Sequence, residues 1–140
     1  MAKARPRRGL IDTSVVIDLE LLDVEALPIE SAVSAITMAE IAAGPHAASS
    51  VEERARRQDR LQRAEAAFDP LPADAAVARA YGRIYAAVAE AGRKARGARS
   101  LDLLIAATAL ASDLPLYTRN PEDFRGTEDL VEVVAVEPAG

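Results

Sequence analysis

The sequence predicts an α/β fold, a short and mainly parallel sheet with helices on its faces. Short apolar runs near residues 9–14, 33–37, 116–118 and 131–136 alternate with segments of helical periodicity, and parallel strands need such crossover connections. The chain has 140 residues, the length of one domain. Half of the residues are hydrophobic and 28% are charged, which is enough apolar material for a core and too much for disorder.

The elements follow in order. Residues 1–8 read as a basic tail carrying Lys3, Arg5, Arg7 and Arg8, ahead of a single domain at 9–137. Gly9-Leu10-Ile11-Asp12 reads as a buried strand ending on a carboxylate, followed by a turn into a helix with Val15, Val16, Ile17 and Leu19. Residues 33–37 predict a second strand. Met38 to Ala43 then predict a helix stopped by Gly44 and Pro45, with Glu40 in its first turn. Val51 to Phe68 predicts a half-exposed helix, and Pro70 and Pro72 end it. A longer helix from about Ala73 places Val77, Tyr81, Ile84 and Val88 on one face, which reads as core in preference to a dimer surface. Gly92 and Gly97 bracket its basic end. Ser100 then opens an apolar helix, Leu101 to Leu114, too short to span a bilayer. Leu116 to Thr118 predicts a strand, Asn120-Pro121 a loop, and Val131 to Val136 a closing strand.

Composition excludes several chemistries. With no cysteine, disulfide scaffolds, thiolate metal sites and cysteine nucleophiles are absent, and a reducing cytoplasm fits. The single histidine, His46, rules out multi-histidine metal sites and has only Pro45, Ala47 and Ala48 as neighbours. The apolar stretch after the N-terminal cations is broken by Asp12 and Asp18, so neither a signal peptide nor a membrane helix is expected. Of 17 cations and 22 acids, four cations precede residue 9 and no acid does, so the remainder holds 13 against 22, a charge of −9. An acidic body does not coat a nucleic acid electrostatically, but it can still bring metal ions to a phosphate.

Most of the acids read as solvated surface charge, and three do not. Asp12 follows a buried strand, Glu40 lies between Met38-Ala39 and Ile41-Ala42, and Asp102 precedes Leu103-Leu104-Ile105. A buried carboxylate needs a cation, a metal or hydrogen-bond donors. Each also has a structural reading. Thr37 to Glu40 matches a capping box, Asp102 follows a Ser100 cap where the helix dipole favours an acid, and Asp12 can cap the next turn. Yet the topology brings Asp12, the start of the Glu40 helix and the loop after Thr118 to the C-terminal ends of the strands, where open parallel sheets bind ligands. Asp123 in that loop adds a carboxylate. Such a group ionises together only around cations, and all-oxygen ligation suits Mg²⁺ or Mn²⁺, hence phosphate chemistry.

Four pieces in this order, Leu10-Ile-Asp-Thr-Ser-Val15, Thr37-Met-Ala-Glu-Ile41, Asp102-Leu-Leu-Ile-Ala-Ala-Thr-Ala-Leu110 and Leu116-Tyr-Thr-Arg-Asn-Pro-Glu-Asp-Phe124, resemble the PIN-domain ribonucleases of the VapC toxin type, over about residues 9–136. The resemblance implies a three-layer α/β/α PIN-like domain, an acidic pocket holding Mg²⁺ or Mn²⁺, and hydrolytic cleavage of RNA. It assigns Asp12, Glu40, Asp102 and Asp123 as catalytic and Asp12, Asp102 and Asp123 as metal ligands. Asp123 ranks below the others, because Asn120 stands where many family members have an aspartate; its amide can orient a water but supplies no charge. Thr13, Ser14 and Thr118 are candidate donors to these carboxylates, with ordinary turn and strand-end bonding as the alternative. The resemblance further implies a homodimer held inactive by a cognate VapB-type antitoxin.

For RNA contact, Arg93, Lys94, Arg96 and Arg99 are unopposed by acids and run up to the Asp102 helix, so they are the preferred phosphate-binding group. Arg54, Arg56, Arg57, Arg60 and Arg63 are largely offset by Glu52, Glu53, Asp59 and Glu65 and read as a solvated helix face. Aromatic residues make up only 4% of the chain, so base stacking is a poor source of RNA affinity. Two other classes compete. A non-nuclease phosphohydrolase domain would share the strand-ending aspartate, but no lysine follows Lys94 to serve a late strand. A non-catalytic binding module would use its acids only as caps or for basic peptides.

Overall fold

Leu10 and Ile11 are consecutive in a strand and both fully buried, so this strand is covered on both faces. The computed structural model describes residues 7–92 and 98–137. Four strands, β1 (Arg8–Ile11), β2 (Glu30–Ala32), β3 (Leu116–Thr118) and β4 (Val133–Ala135), form a parallel sheet in the order β2-β1-β3-β4. The helices are α1 (Thr13–Ile17), α2 (Ala35–Ala47), α3 (Val51–Ala67), α4 (Ala75–Glu90) and α5 (Ala98–Ala111). Leu10 and Leu116 share one core with Val77, Ile84 and Val88 of α4 and Leu103 and Ile105 of α5. Ile11 and Tyr117 share the other with Val15 of α1, Ile41 of α2 and, at its margin, Leu61 of α3. Strand alternation thus sorts the helices into two layers and yields the expected α/β/α sandwich. Glycine at position 9 is a packing requirement, since a Cβ there would lie 2.6 Å from the Tyr117 ring.

β1 connects to β2 on one side and pairs with β3 on the other, so the chain changes direction between β1 and β3. Asp12 follows β1 and Thr118 ends β3, with Asp12 N–H bonded to the Tyr117 carbonyl at 3.0 Å. This is the crevice in which open parallel sheets bind ligands.

Several element boundaries depart from the sequence expectation. β1 begins at Arg8, opposite Glu30, so that residue belongs to the sheet and not to a tail. The second strand lies at 30–32 and not 33–37, because Ser34 already caps α2 by accepting the Thr37 N–H at 3.0 Å. Val33 and Ser34 do stay extended, held by a parallel bridge between Ser34 and Leu71. Gly44 and Pro45 do not stop α2, which runs to Ala47. Pro45 forfeits one helical bond near the end, while Arg57 donates to the Gly44 carbonyl at 2.9 Å and Arg54 to the Pro45 carbonyl at 3.2 Å. The fourth helix starts at Ala75 on an Asp74 cap; Val77, Ile84 and Val88 are core as expected, with Tyr81 packed beside them.

α5 begins at Ala98, so Ser100 is inside the helix and is not its cap. It stops at Ala111 and not Leu114, because Asp113 turns left-handed at φ 54° and the Leu114 N–H reaches back to the Ala109 carbonyl. The closing strand is trimmed to Val133–Ala135. Gly97 lies outside the described residues. Among those described, no helix is long and apolar enough to cross a membrane.

Candidate active site

Asp12 ends the buried strand and caps α1, so its backbone is fixed on both sides. Its side chain is 5% exposed. Oδ1 accepts the Ser14 hydroxyl at 2.6 Å and the Val15 N–H at 3.1 Å. Burial pushes the Asp12 carboxyl above the ordinary aspartate range, and hydrogen bonds from Ser14, Thr118 and the Val15 and Ser14 backbone pull the other way. Ser14 does more than bond a turn. Its Oγ also accepts the Arg119 N–H at 3.0 Å and lies 3.5 Å from the Thr118 hydroxyl, tying α1 to the end of β3. Thr118, fully buried, accepts the Asn120 N–H at 3.0 Å.

Glu40 sits in the second turn of α2, beyond reach of any cap, so the capping-box reading fails. Its Oε1 accepts the Thr13 hydroxyl at 2.7 Å, and Thr13 Oγ1 lies 3.1 Å from Thr37 Oγ1. No other bond to the Glu40 side chain is formed among the described residues.

Nor does the helix dipole account for Asp102, because α5 opens four residues before it and has no acid in its first turn. Its carboxyl is pushed up to about 6, first by burial and then by the negative charges of Asp123, Glu40 and Asp12, with Arg99 opposing. Asp12, Glu40 and Asp123 thus all bear electrostatically on Asp102. Asp123 lies in the 3₁₀ turn Pro121–Phe124, whose Asp123 carbonyl accepts from Arg99 at 3.2 Å, so α5 carries both Asp102 and the tether of the turn that bears Asp123. Asn120 precedes this turn with its amide side chain making no cap.

The donor set suits a hard divalent cation. The negative charge that Asp123, Glu40 and Asp12 place on Asp102 is relieved by positive charge between them. Among the described residues no three acids converge tightly enough to form a ready-made cage. Magnesium ordinarily takes one or two carboxylates and completes its shell with water and substrate oxygens, so it does not require such a cage.

Reading the sequence did not anticipate Arg119. Its guanidinium pairs with Asp18 at the end of α1, while its Nε is buried with no hydrogen-bond partner among the described residues. Nor was the setting of α3 foreseen: Arg56, Arg57 and Arg60 line a cleft of about 500 Å³ together with Thr13 and Glu40. The repeat of arginine four residues apart was visible, but which way it faces depends on how α3 docks. Arg93, Lys94 and Arg96 lie outside the described residues. His46 is exposed in the last turn of α2.

The sequence profile of the PIN domain matches residues 9–130. Ribonuclease VapC5 of Mycobacterium tuberculosis is 35% identical over 136 residues, spanning 94% of this chain and 97% of that protein. Among solved structures, the crystal structure of VapBC-5 from M. tuberculosis, a member of the VapBC family of toxin–antitoxin systems, superposes with a TM-score of 0.82 at 34% identity, covering 94% of this chain and 100% of that one. FitAcB from Neisseria gonorrhoeae superposes with a TM-score of 0.66 at 27% identity, covering 89% and 94%.

Proposed function

The chain belongs to the PIN-domain family, and from that premise we propose that it is the toxin endoribonuclease of a VapBC-type toxin–antitoxin pair, cleaving RNA at the acidic site with Mg²⁺ or Mn²⁺. One observation carries the reading. The Asp102 carboxyl is pushed up to about 6, first by burial and then by the charges of Asp123, Glu40 and Asp12, of which Asp12 stands at the crevice between β1 and β3.

Asp12, Asp102 and Asp123 would hold the metal, one or two of them directly and the rest through bound water, and it would supply neutralisation of phosphate charge and acidification of water for in-line attack. The chain's own groups do the positioning. Ser14 and the Val15 N–H fix one Asp12 oxygen and so set the direction of the carboxylate. Thr13 fixes one Glu40 oxygen, leaving the second to orient the attacking water or take its proton. Arg99 offsets part of the negative charge at Asp102 while anchoring the Asp123 turn. With Arg93, Lys94 and Arg96, which precede it in the sequence, it remains the proposed phosphate-binding group. Partnership with a VapB-type antitoxin, homodimerisation and a cytoplasmic location complete the proposal, supported by the kinship to toxins of such pairs.

The test is cleavage of a mixed cellular RNA pool by the purified protein with Mg²⁺, with Mn²⁺ and with EDTA. Asp12→Asn and Asp102→Asn are prepared in parallel. Expected are discrete metal-dependent products, lost by at least about 100-fold in either variant while both stay folded. Equal cleavage by the variants, or no cleavage together with no metal binding by titration, would return the acids to a capping or peptide-binding role.

A further inference from the structure

We propose that the cleft between α2 and α3 carries the RNA strand on one side of the scissile bond, with Arg56 and Arg60 as its phosphate contacts. The inference rests on the ribonuclease reading and adds a binding track to it.

Five arginines lie on α3, and the structure divides them. Arg54 and Arg57 donate to the last carbonyls of α2, and Arg57 also pairs with Glu53. Arg63 pairs with Glu20 at 2.8 Å and Asp59 at 3.3 Å. Arg56 and Arg60 make no ion pair or hydrogen bond among the described residues. They stand one helical turn apart on the same face, and both line the cleft whose other wall holds Thr13, Glu40 and Ile41. Glu53 also borders it, but its charge is matched by Arg57. The expected solvated face is therefore two different things: three arginines that fix α3 in place, and two beside Glu40 that form no ion pair among the described residues.

Those two also border a groove on the far side of α3, toward Leu19 and Phe68. Glu40 decides between the grooves. A phosphate being cleaved at the acids requires its neighbouring phosphates within one nucleotide's reach, and the Glu40 cleft is continuous with that point. An acidic peptide would suit the guanidinium groups but has no such requirement. The body of the protein repels polyanions, so unpaired cations next to the site are what draws the strand in. No aromatic side chain lines the cleft. Recognition there is by planar guanidinium on phosphate, independent of base identity and steeply salt-dependent.

The test uses a fluorescein-labelled, mixed-sequence 12-nucleotide RNA, bound to the full-length Asp102→Asn protein and followed by anisotropy from 50 to 200 mM KCl. Adding Arg56→Ala and Arg60→Ala should weaken binding at least about tenfold at low salt and reduce the log–log salt slope by about 1.4, near 0.7 per phosphate contact. Arg83→Ala, on α4 in the opposite layer, should change affinity less than about twofold. Arg56→Lys with Arg60→Lys should keep the slope, and matching thermal melts confirm the fold. Alongside, the Arg56→Ala/Arg60→Ala enzyme with intact acids should show a raised KM for RNA with kcat retained.

Unchanged affinity, slope and KM in a series whose parent cleaves RNA would overturn the track and leave the ribonuclease reading standing. A parent that neither cleaves nor binds the probe would overturn both. Loss of binding to a poly-glutamate probe with RNA binding intact would make the face a protein-docking surface instead, and so also overturn the proposal.

Discussion

Asp102 and Asp12 hold their protons more tightly in the folded chain than an exposed aspartate does, and this has a measurable sign. Below the unfolded value of 3.8 both forms of Asp102 are protonated; between there and about 6 the folded protein keeps a proton that the unfolded chain releases. Stability therefore falls as pH rises through that window and stays lower above it. For a half-buried group the loss is about 1–2 kcal/mol once solvent screening is counted. Asp12 acts in the same direction. Urea unfolding in EDTA from pH 4 to 7.5 should show Asp102→Asn gaining on the parent across the window and exceeding it at pH 7.5. Parallel pH profiles would refute the clustering of charge at Asp102. The acids themselves were legible as carboxylates next to apolar residues. The hydroxyls that aim them, Ser14 on Asp12 and Thr13 on Glu40, were legible only as candidates, since a hydroxyl's partner is set by distance in space.

α2 shows what decides an element's limits. Ser34 and Thr37 are both plausible caps in sequence, and Thr37 with Glu40 even makes the better local motif. The choice is made from outside the segment. Ala35 N–H bonds the Leu71 carbonyl at 2.8 Å and Leu71 N–H the Val33 carbonyl at 2.9 Å, so the extended chain ends at Ser34 and the helix must begin there. At the other end, arginines of α3 satisfy carbonyls around a proline that local rules read as a stop. Ser34 is fully buried, and Ser34→Ala leaves the Thr37 N–H without its acceptor. Chemical denaturation should register a loss of about 1–2 kcal/mol. A loss below about 0.3 kcal/mol would mean that the helix start is held by the Leu71 bridge alone.

For the whole molecule, the proposed site draws on elements distant in sequence: Asp12 after β1, Glu40 on α2, Asp102 on α5 and Asp123 beyond β3. A cation gripping them binds only the folded chain, so it stabilises every element at once. Mn²⁺ at about 100 times its Kd should add about 2.7 kcal/mol and raise the melting temperature by about 5–10 °C, with the gain lost in Asp102→Asn. An equal rise in the variant would place the ion elsewhere. The alternation of strands and helices, the four acids and their order are properties of the sequence alone, because burial patterns have the short periods of strand and helix and because carboxylates beside apolar residues stand out locally. Tertiary structure alone decided where α2 and α5 begin, which hydroxyl holds which acid, that Arg119 pairs with Asp18, and which arginines of α3 form no ion pair among the described residues. Each of these depends on contacts between segments far apart in the chain, and such contacts leave no local period or motif from which they could be read.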